Sequence, residues 1–341
     1  MDLTQSQPNV NIRAEITQNQ HIDKENTFSN LKGLPSQKPI VKCDSSWVST
    51  NEEEAIKLEY NDYVSRISRS KNEDDKLALL FQAPNTNEAE NIFSLNLSNS
   101  NNLTYNKKLL HCLQNFDKRY CNEKLFDQAE NADKDNAYLW YLIATIHFAQ
   151  QDNTKAREAL ALATRKAHFN NYYYETIGFI EQNIQLHSAI AFSSRLIAGL
   201  GVASAQSGIG FSFIIDYCKE NQADIDVADL CLQTGLQLEK RSKTLFPSLM
   251  GLAIQDIHYR HYFKTDALSE TTQKRKNYQN NYTMNRDYDA TVALMLYDER
   301  LGQTWLNVGL AKGEAKSISQ TINEAIIFSQ DESYTPCPKR H

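Results

Sequence analysis

Trp140, Ile143, Ala144, His147, Ala156, Leu160 and Ala163 follow one another at the spacing of a helix, a tight turn and a second helix. A shift of about 34 residues, the length of one helix-turn-helix repeat, recovers part of the pattern on both sides. Leu109, Leu110, Leu113, Phe126 and Ala129 lie upstream, and Tyr174, Ile177 and Gly178 downstream. A single hairpin of this kind cannot bury its own apolar face, so its neighbours must stack on it. This beat constrains the fold more than any other feature of the chain. It predicts an all-α protein, an α-solenoid of paired helices with additional C-terminal helices.

The composition agrees. Only 11 Gly and 7 Pro in 341 residues argue against a β-protein built on many tight turns, and 41% hydrophobic content is enough for a sizeable core. A formal net charge of -6 gives no basic face for a nucleic acid. Residues 1–48 are polar and without period, and are expected to be disordered, with Trp47 and Val48 docking as a staple on the first helix. The expected organisation is then a repeat region at 49–215, a C-terminal helical region at 216–330 and a frayed tail at 331–341.

Local signals place the helices. Thr50 with Glu53 and Ser70 with Glu73 are capping-box pairs. Ile56, Tyr60, Tyr63 and Ile67 form one helical stripe. Pro84 ends the helix that carries Leu77, Leu80 and Phe81. Asp133 to Asn136 and Asp152-Asn153 mark turns on either side of the first helix of the central repeat. Asp226 is expected to cap one helix, and Thr244 to start another with Pro247 in its first turn. Residues 265–287 read as a long polar, Tyr/Asn-rich connector, followed by two last helices near 288–310 and 313–329.

The central repeat resembles the tetratricopeptide repeat family. In that family a large residue, an aliphatic, a small residue and a ring occupy the first helix, where this chain has Trp140, Ile143, Ala144 and His147. Small, bulky and small residues occupy the second, where it has Ala156, Leu160 and Ala163. His168 stands in place of the family's final proline. The flanking units depart further, with Asn122 upstream and Ile190, Ser194 and Ile197 downstream at the second-helix positions.

The resemblance implies that first-helix residues form a concave binding face: Lys107 and His111, then Tyr138, Tyr141, Thr145 and Phe148, then Tyr172, Glu175 and Phe179. A row of rings suits a peptide or helix with apolar anchors. The same rings become core if later helices fold over them. The expected role is a non-catalytic scaffold or adaptor whose partner is another protein, with no catalytic residue, cofactor or metal.

Two alternatives stay open. Residues 196–215 carry no charge over the length that spans a bilayer, although four glycines interrupt them. They read as a buried helix, a Gly-rich turn and a second helix, and the alternative is a membrane-associated assembly factor. His258 and His261 share a helix face, which is the beginning of a metal site but lacks a third ligand of diagnostic spacing, and the second alternative is a metal-dependent enzyme using this region. Asp298-Glu299-Arg300 reads as a solvated helix face. The six cysteines include no C-x-x-C pair, and are expected to be reduced thiols in a cytoplasmic protein. Cys112 and Cys121 are close enough in sequence to face each other within one hairpin.

Overall fold

The computed structural model describes residues 38–43, 50–82, 88–95, 102–208, 210–283 and 285–337. The disorder expected over 1–48 is corrected at 38–43, where Ile40 is buried and Val41 is hydrogen-bonded to Ser329; the rest of that segment, with the staple of Trp47 and Val48, lies outside the described residues. The described chain is all-α, and no strand occurs in it.

Helix α1 (Thr50–Ile67) buries Tyr63 and Ile67 on the stripe seen in the sequence. Helix α2 (Glu73–Gln82) starts one residue after Asn72, whose Oδ1 accepts the Asp74 N–H at 2.8 Å. Asn72 is therefore the cap, while Ser70 accepts the Asn72 N–H at 3.1 Å from outside the helix. Then follow α3 (Glu88–Ser94), α4 (Asn102–Gln114), α5 (Glu123–Ala132), α6 (Ala137–Ala149) and α7 (Asn153–Thr164). Asn136 and Asp152 cap α6 and α7 at the turns expected for them. Ala144, Ala156, Leu160 and Ala163 are fully buried. Phe126 and His147 meet edge to face at 5.5 Å, and the Lys166 ammonium lies over Trp140. The repeat residues thus pack α5, α6 and α7 together.

Helices α8 (Tyr173–His187) and α9 (Phe192–Ser207) form a pair locked by a buried ion pair, Arg195 Nε to Glu181 Oε1 at 2.8 Å. The expected break inside 196–215 occurs where α9 ends and α10 (Phe211–Glu220) begins. By length and composition alone, Phe192–Glu220 passes as a membrane span. Its two helices are separated at Gly210, which has φ +98°. Helices α11 (Ile225–Arg241) and α12 (Leu245–His261) form the next pair. Asp224, not Asp226, caps α11, accepting N–H bonds from Asp226 and Val227.

The polar connector expected at 265–287 is instead α13 (Thr265–Tyr278), continued by one π-helical turn, Gln279–Thr283. Its few apolar residues hid it, because ion pairs rather than an apolar stripe hold it in place. Lys274 reaches Glu239 at 3.1 Å, Arg275 pairs with Asp256, and Thr271 donates to the same Asp256. The last part of the chain is three helices, not two: α14 (Arg286–Met295), α15 (Glu299–Lys312) and α16 (Glu314–Gln330). The break is Asp298, which is buried rather than solvated. It caps α15 through the Arg300 N–H and accepts the Tyr334 hydroxyl at 2.7 Å.

The described residues fall in one compact unit, Lys38–His341, so the sequence boundary at 215 lies inside a single body. It has two apolar centres. One gathers α1 to α7 with parts of α8, α10, α11 and α12. The other gathers Ile40, Tyr174, Ile177, Leu196, Trp305 and residues of α14 to α16.

The cysteines correct the expectation of free thiols. All six are paired, as Cys43–Cys337, Cys112–Cys121 and Cys218–Cys231. The first of these ties residues 38–43 to the tail at 331–337, which is therefore anchored up to Cys337. Val41 N–H also donates to Ser329 Oγ at 3.0 Å. Proximity within a fold, not motif spacing, brings Cys43 to Cys337, and so no sequence signal announced it.

Candidate functional site

The residues expected to line a concave face are mostly core. His111, Tyr138, Tyr141, Thr145, Phe148 and Tyr172 are all buried. Tyr141 donates its hydroxyl to Gln237 on α11. Phe148 packs on Tyr217 of α10 with centroids 4.5 Å apart. Tyr138 meets Phe169 and Tyr172, and Tyr172 donates to Asp133 Oδ2 at 2.8 Å. His111 lies against Phe93.

The physical reason is the composition of α6, AYLWYLIATIHFA, which is apolar on every side. Such a helix must be covered all round, and α10 and α11 supply the cover. Of the remaining candidates, Phe179 is half-buried against Phe81, and Lys107 lies over the same Phe81 ring at 5.8 Å. Glu175 accepts from Asn170 Nδ2 at 2.7 Å.

His258 and His261 do not converge on one point. Both rings pack on Tyr262, at 4.7 and 4.8 Å. Among the described residues no group of three or more His, Cys, Asp or Glu is placed to hold a metal ion.

A different site emerges where α8, α9, α12, α13, α14 and α16 meet. It is a half-open cleft of about 290 Å³ lined by Tyr173, Tyr278, Tyr282, Tyr288, Phe246 and Glu314, with Asn171, Ser204, Ser207, Thr244, Leu245, Leu249 and Gln279 completing the wall. Tyr278 and Tyr282 are four residues apart across the join of α13 with the π-helical turn, and their rings stack at 6.1 Å. Single π turns inside helices often accompany functional sites, because the extra residue re-aims side chains.

Glu314 is put in place by a close backbone approach. Gly313 has φ +84°, and a Cβ there would stand 2.6 Å from the Lys243 carbonyl oxygen. With glycine, the Glu314 N–H can donate to Lys243 O at 2.7 Å, and the Leu245 N–H donates to Glu314 Oε2 at 2.6 Å. The α11–α12 turn and the start of α16 are thereby joined beneath the cleft. No ion pair with Glu314 occurs among the described residues. Asn171 is buried beside Glu314's partners: its Oδ1 accepts from Thr244 Oγ1 at 3.2 Å, while its Nδ2 has no partner among the described residues.

The electrostatics of this cleft follow from partial burial. Burial pushes the Glu314 carboxyl above the ordinary glutamate range, against the opposing effect of the Leu245 N–H bond. Burial also pushes the Tyr282 and Tyr288 hydroxyls up to about 12, and the Glu314 charge adds to both shifts. Tyr173 is raised in the same way, by burial first and by Glu314 in addition. Burial raises Tyr278 too. All four phenols therefore stay neutral near pH 7, and the cleft presents neutral rings around one carboxyl group.

Sequence reasoning passed over this site. Its signal was the density of tyrosine in 278–288 and the four-residue spacing of Tyr278 and Tyr282, which places both on one helical face. The chain matches no known family model, no curated protein and no solved structure.

Proposed function

We propose that the chain is a non-catalytic binding protein and that its binding seat is the tyrosine cleft, not the first-helix faces of the repeats. The observation that carries this reading is the lining itself. Aromatic and aliphatic walls with a few fixed polar groups are the make-up of a recognition pocket. About 290 Å³ stands at the lower end of the volumes that hold small molecules. The paired helices, resembling degenerate tetratricopeptide repeats stacked as a solenoid, serve in this reading as the frame that holds α8 and α9 against the C-terminal helices.

The test is a thermal-shift screen of small metabolites against the wild type and Ser204→Trp. Ser204 is exposed at the wall of the cleft, so the indole fills the space without entering the core. Ligands that stabilise the wild type and lose their effect on the variant support the reading. Ligands that stabilise both equally place the seat elsewhere and overturn it.

We also infer that the chain works in an oxidising compartment. Three disulfides that use every cysteine are characteristic of secreted, periplasmic or lumenal proteins and rare in the cytosol. Alkylation of native-cell lysate, denatured in urea, with a maleimide of large mass tests this, since the buried cysteines are then accessible. No mass shift before reduction and six additions after it are expected. Six additions without reduction would return the protein to a reducing compartment.

A further inference from the structure

The cleft has a carboxyl group at its base and no cation to match it. Among the described residues Glu314 has a single hydrogen-bond donor, the Leu245 N–H, and no Lys or Arg lines the cavity. A half-buried carboxylate without a counter-charge is costly, and a ligand of opposite charge removes that cost. The remaining walls restrict the kind of cation. Lys, metal ions and other strongly hydrated cations need several oxygen or nitrogen ligands to replace their water. This cleft offers one charged ligand, Glu314, among four tyrosine rings, Tyr173, Tyr278, Tyr282 and Tyr288, and its other polar groups are neutral amides and hydroxyls. Aromatic faces attract a cation through their quadrupole, and they do so best when the cation is bulky and weakly hydrated, as a methylated ammonium is.

Resting on the reading of the cleft as the binding seat, we propose that its ligand is a small free solute with a quaternary ammonium head, held by the four tyrosine rings and neutralised by Glu314. Burial pushes the Glu314 carboxyl up. A cation beside it acts in the opposite sense, so the bound head and the ionised carboxylate support each other. Phe246, at 41% exposure on the wall, supplies apolar cover for the remainder of the solute.

The test compares choline with 3,3-dimethylbutan-1-ol, which has the same shape and a neutral carbon in place of the charged nitrogen. The full chain is labelled on its tyrosine rings, and the resonances of the four cleft tyrosines are followed by NMR during each titration. Saturable shifts with choline, with at least about tenfold weaker binding of the alcohol, are expected. Glu314→Gln keeps an oxygen for the Leu245 N–H. It is expected to weaken choline by at least about tenfold while leaving the alcohol unchanged. Equal binding of the two probes, or tighter binding of the alcohol, leaves the cleft a binding seat but overturns the cation. If neither probe moves the cleft tyrosines, the quaternary-ammonium assignment falls, while the cleft reading is decided separately by the Ser204→Trp screen. Co-sedimentation with phosphatidylcholine vesicles would show the head captured from a lipid and overturn the assignment to a free solute. The comparison of the two probes on the wild type needs no variant, so it holds even if Glu314→Gln does not fold.

Discussion

Asn136 and Asn170 stand 34 residues apart and hold each other. The Asn136 side-chain nitrogen donates to the Asn170 carbonyl at 2.9 Å, and the Asn170 N–H donates to Asn136 Oδ1 at the same distance. Each also repeats the other's local role. Asn136 Oδ1 accepts the Tyr138 N–H and Asn170 Oδ1 accepts the Tyr172 N–H, so each side chain bonds two residues ahead at the start of its helix. A separation of 34 residues in the sequence is thus bridged by two asparagines that make the same local bond. Asn136 is fully buried, so Asn136→Ala leaves the Asn170 N–H and O without partners. A loss of about 2 to 4 kcal/mol is expected, read from the urea midpoint. A loss under about 0.5 kcal/mol would mean that water replaces the side chain and that the pair is incidental.

Helices α11 and α12 approach through two glycines. A Cβ on Gly251 would lie 2.6 Å from the Gly235 carbonyl oxygen, and one on Gly235 would lie 2.8 Å from the Gly251 oxygen. Gly→Ala inside a helix ordinarily stabilises by up to about 1 kcal/mol. At Gly251 the sign is expected to reverse, with destabilisation of about 1 to 3 kcal/mol, because backbone and not a flexible side chain blocks the methyl. Gly201 is the control: it sits within α9 with open space around its Cβ position. Gly201→Ala is expected to raise the thermal midpoint. If both variants move the midpoint upward, the helices are not held at this distance in solution.

Two sets of carboxyl groups give opposite pH dependence. For Asp75, burial alone would raise the carboxyl, but hydrogen bonds from Ser70, Asn183 and His187 outweigh it and hold it below the ordinary range. Asp298 behaves likewise, with burial outweighed by bonds from Arg300 and Tyr334. A depressed folded pKa means stability that is complete above the unfolded value, about 3.9 for Asp, and lost as pH falls below it.

Glu314 is the reverse. Its raised pKa makes the folded state bind the proton more tightly, so its contribution to stability falls as pH rises from about 4.3 through the folded value. Asp75→Asn is therefore expected to lower the urea midpoint at pH 7 and to flatten the acid limb of the stability curve. Glu314→Gln is expected to raise the midpoint at pH 7. Matching shifts in the same direction for both variants would contradict the assignment.

The helical class and most helix boundaries were legible because caps and apolar periods are local. Tyr63 and Ile67, Asn136 at its turn and Ala156 with Leu160 all sit where their spacing puts them. Helix α13 was not legible, since it is fixed by the distant partners Glu239 and Asp256 rather than by its own apolar stripe. The concave face was misplaced for a reason the sequence did contain, namely that α6 has no polar side to turn to water. The cleft draws Tyr173, Tyr282 and Glu314 from helices far apart in the chain, and nothing short of the tertiary fold brings them together.

The disulfides should differ in what they contribute, and loop length sets the order. Cross-linking removes conformations from the unfolded chain, and the effect grows with the logarithm of the loop, from about 3 kcal/mol for 15 residues to about 4.7 for 100. Cys112–Cys121 and Cys218–Cys231 close short loops, with sequence separations of 9 and 13. Cys43–Cys337 spans 294 residues, and therefore constrains almost the whole described chain. It also fastens the strip around Ile40, which belongs to the second apolar centre. Replacing Cys43 and Cys337 together by Ser is expected to lower stability by more than either of the other two Ser pairs, by several kcal/mol, with the cleft and its ligand response retained. The Val41 and Ser329 contact and the Lys38–Glu332 ion pair remain in that variant. If these contacts alone held the ends together, chain entropy would not be the main contribution, and the three Ser pairs would fall within about 1 kcal/mol of one another in urea titrations under non-reducing conditions.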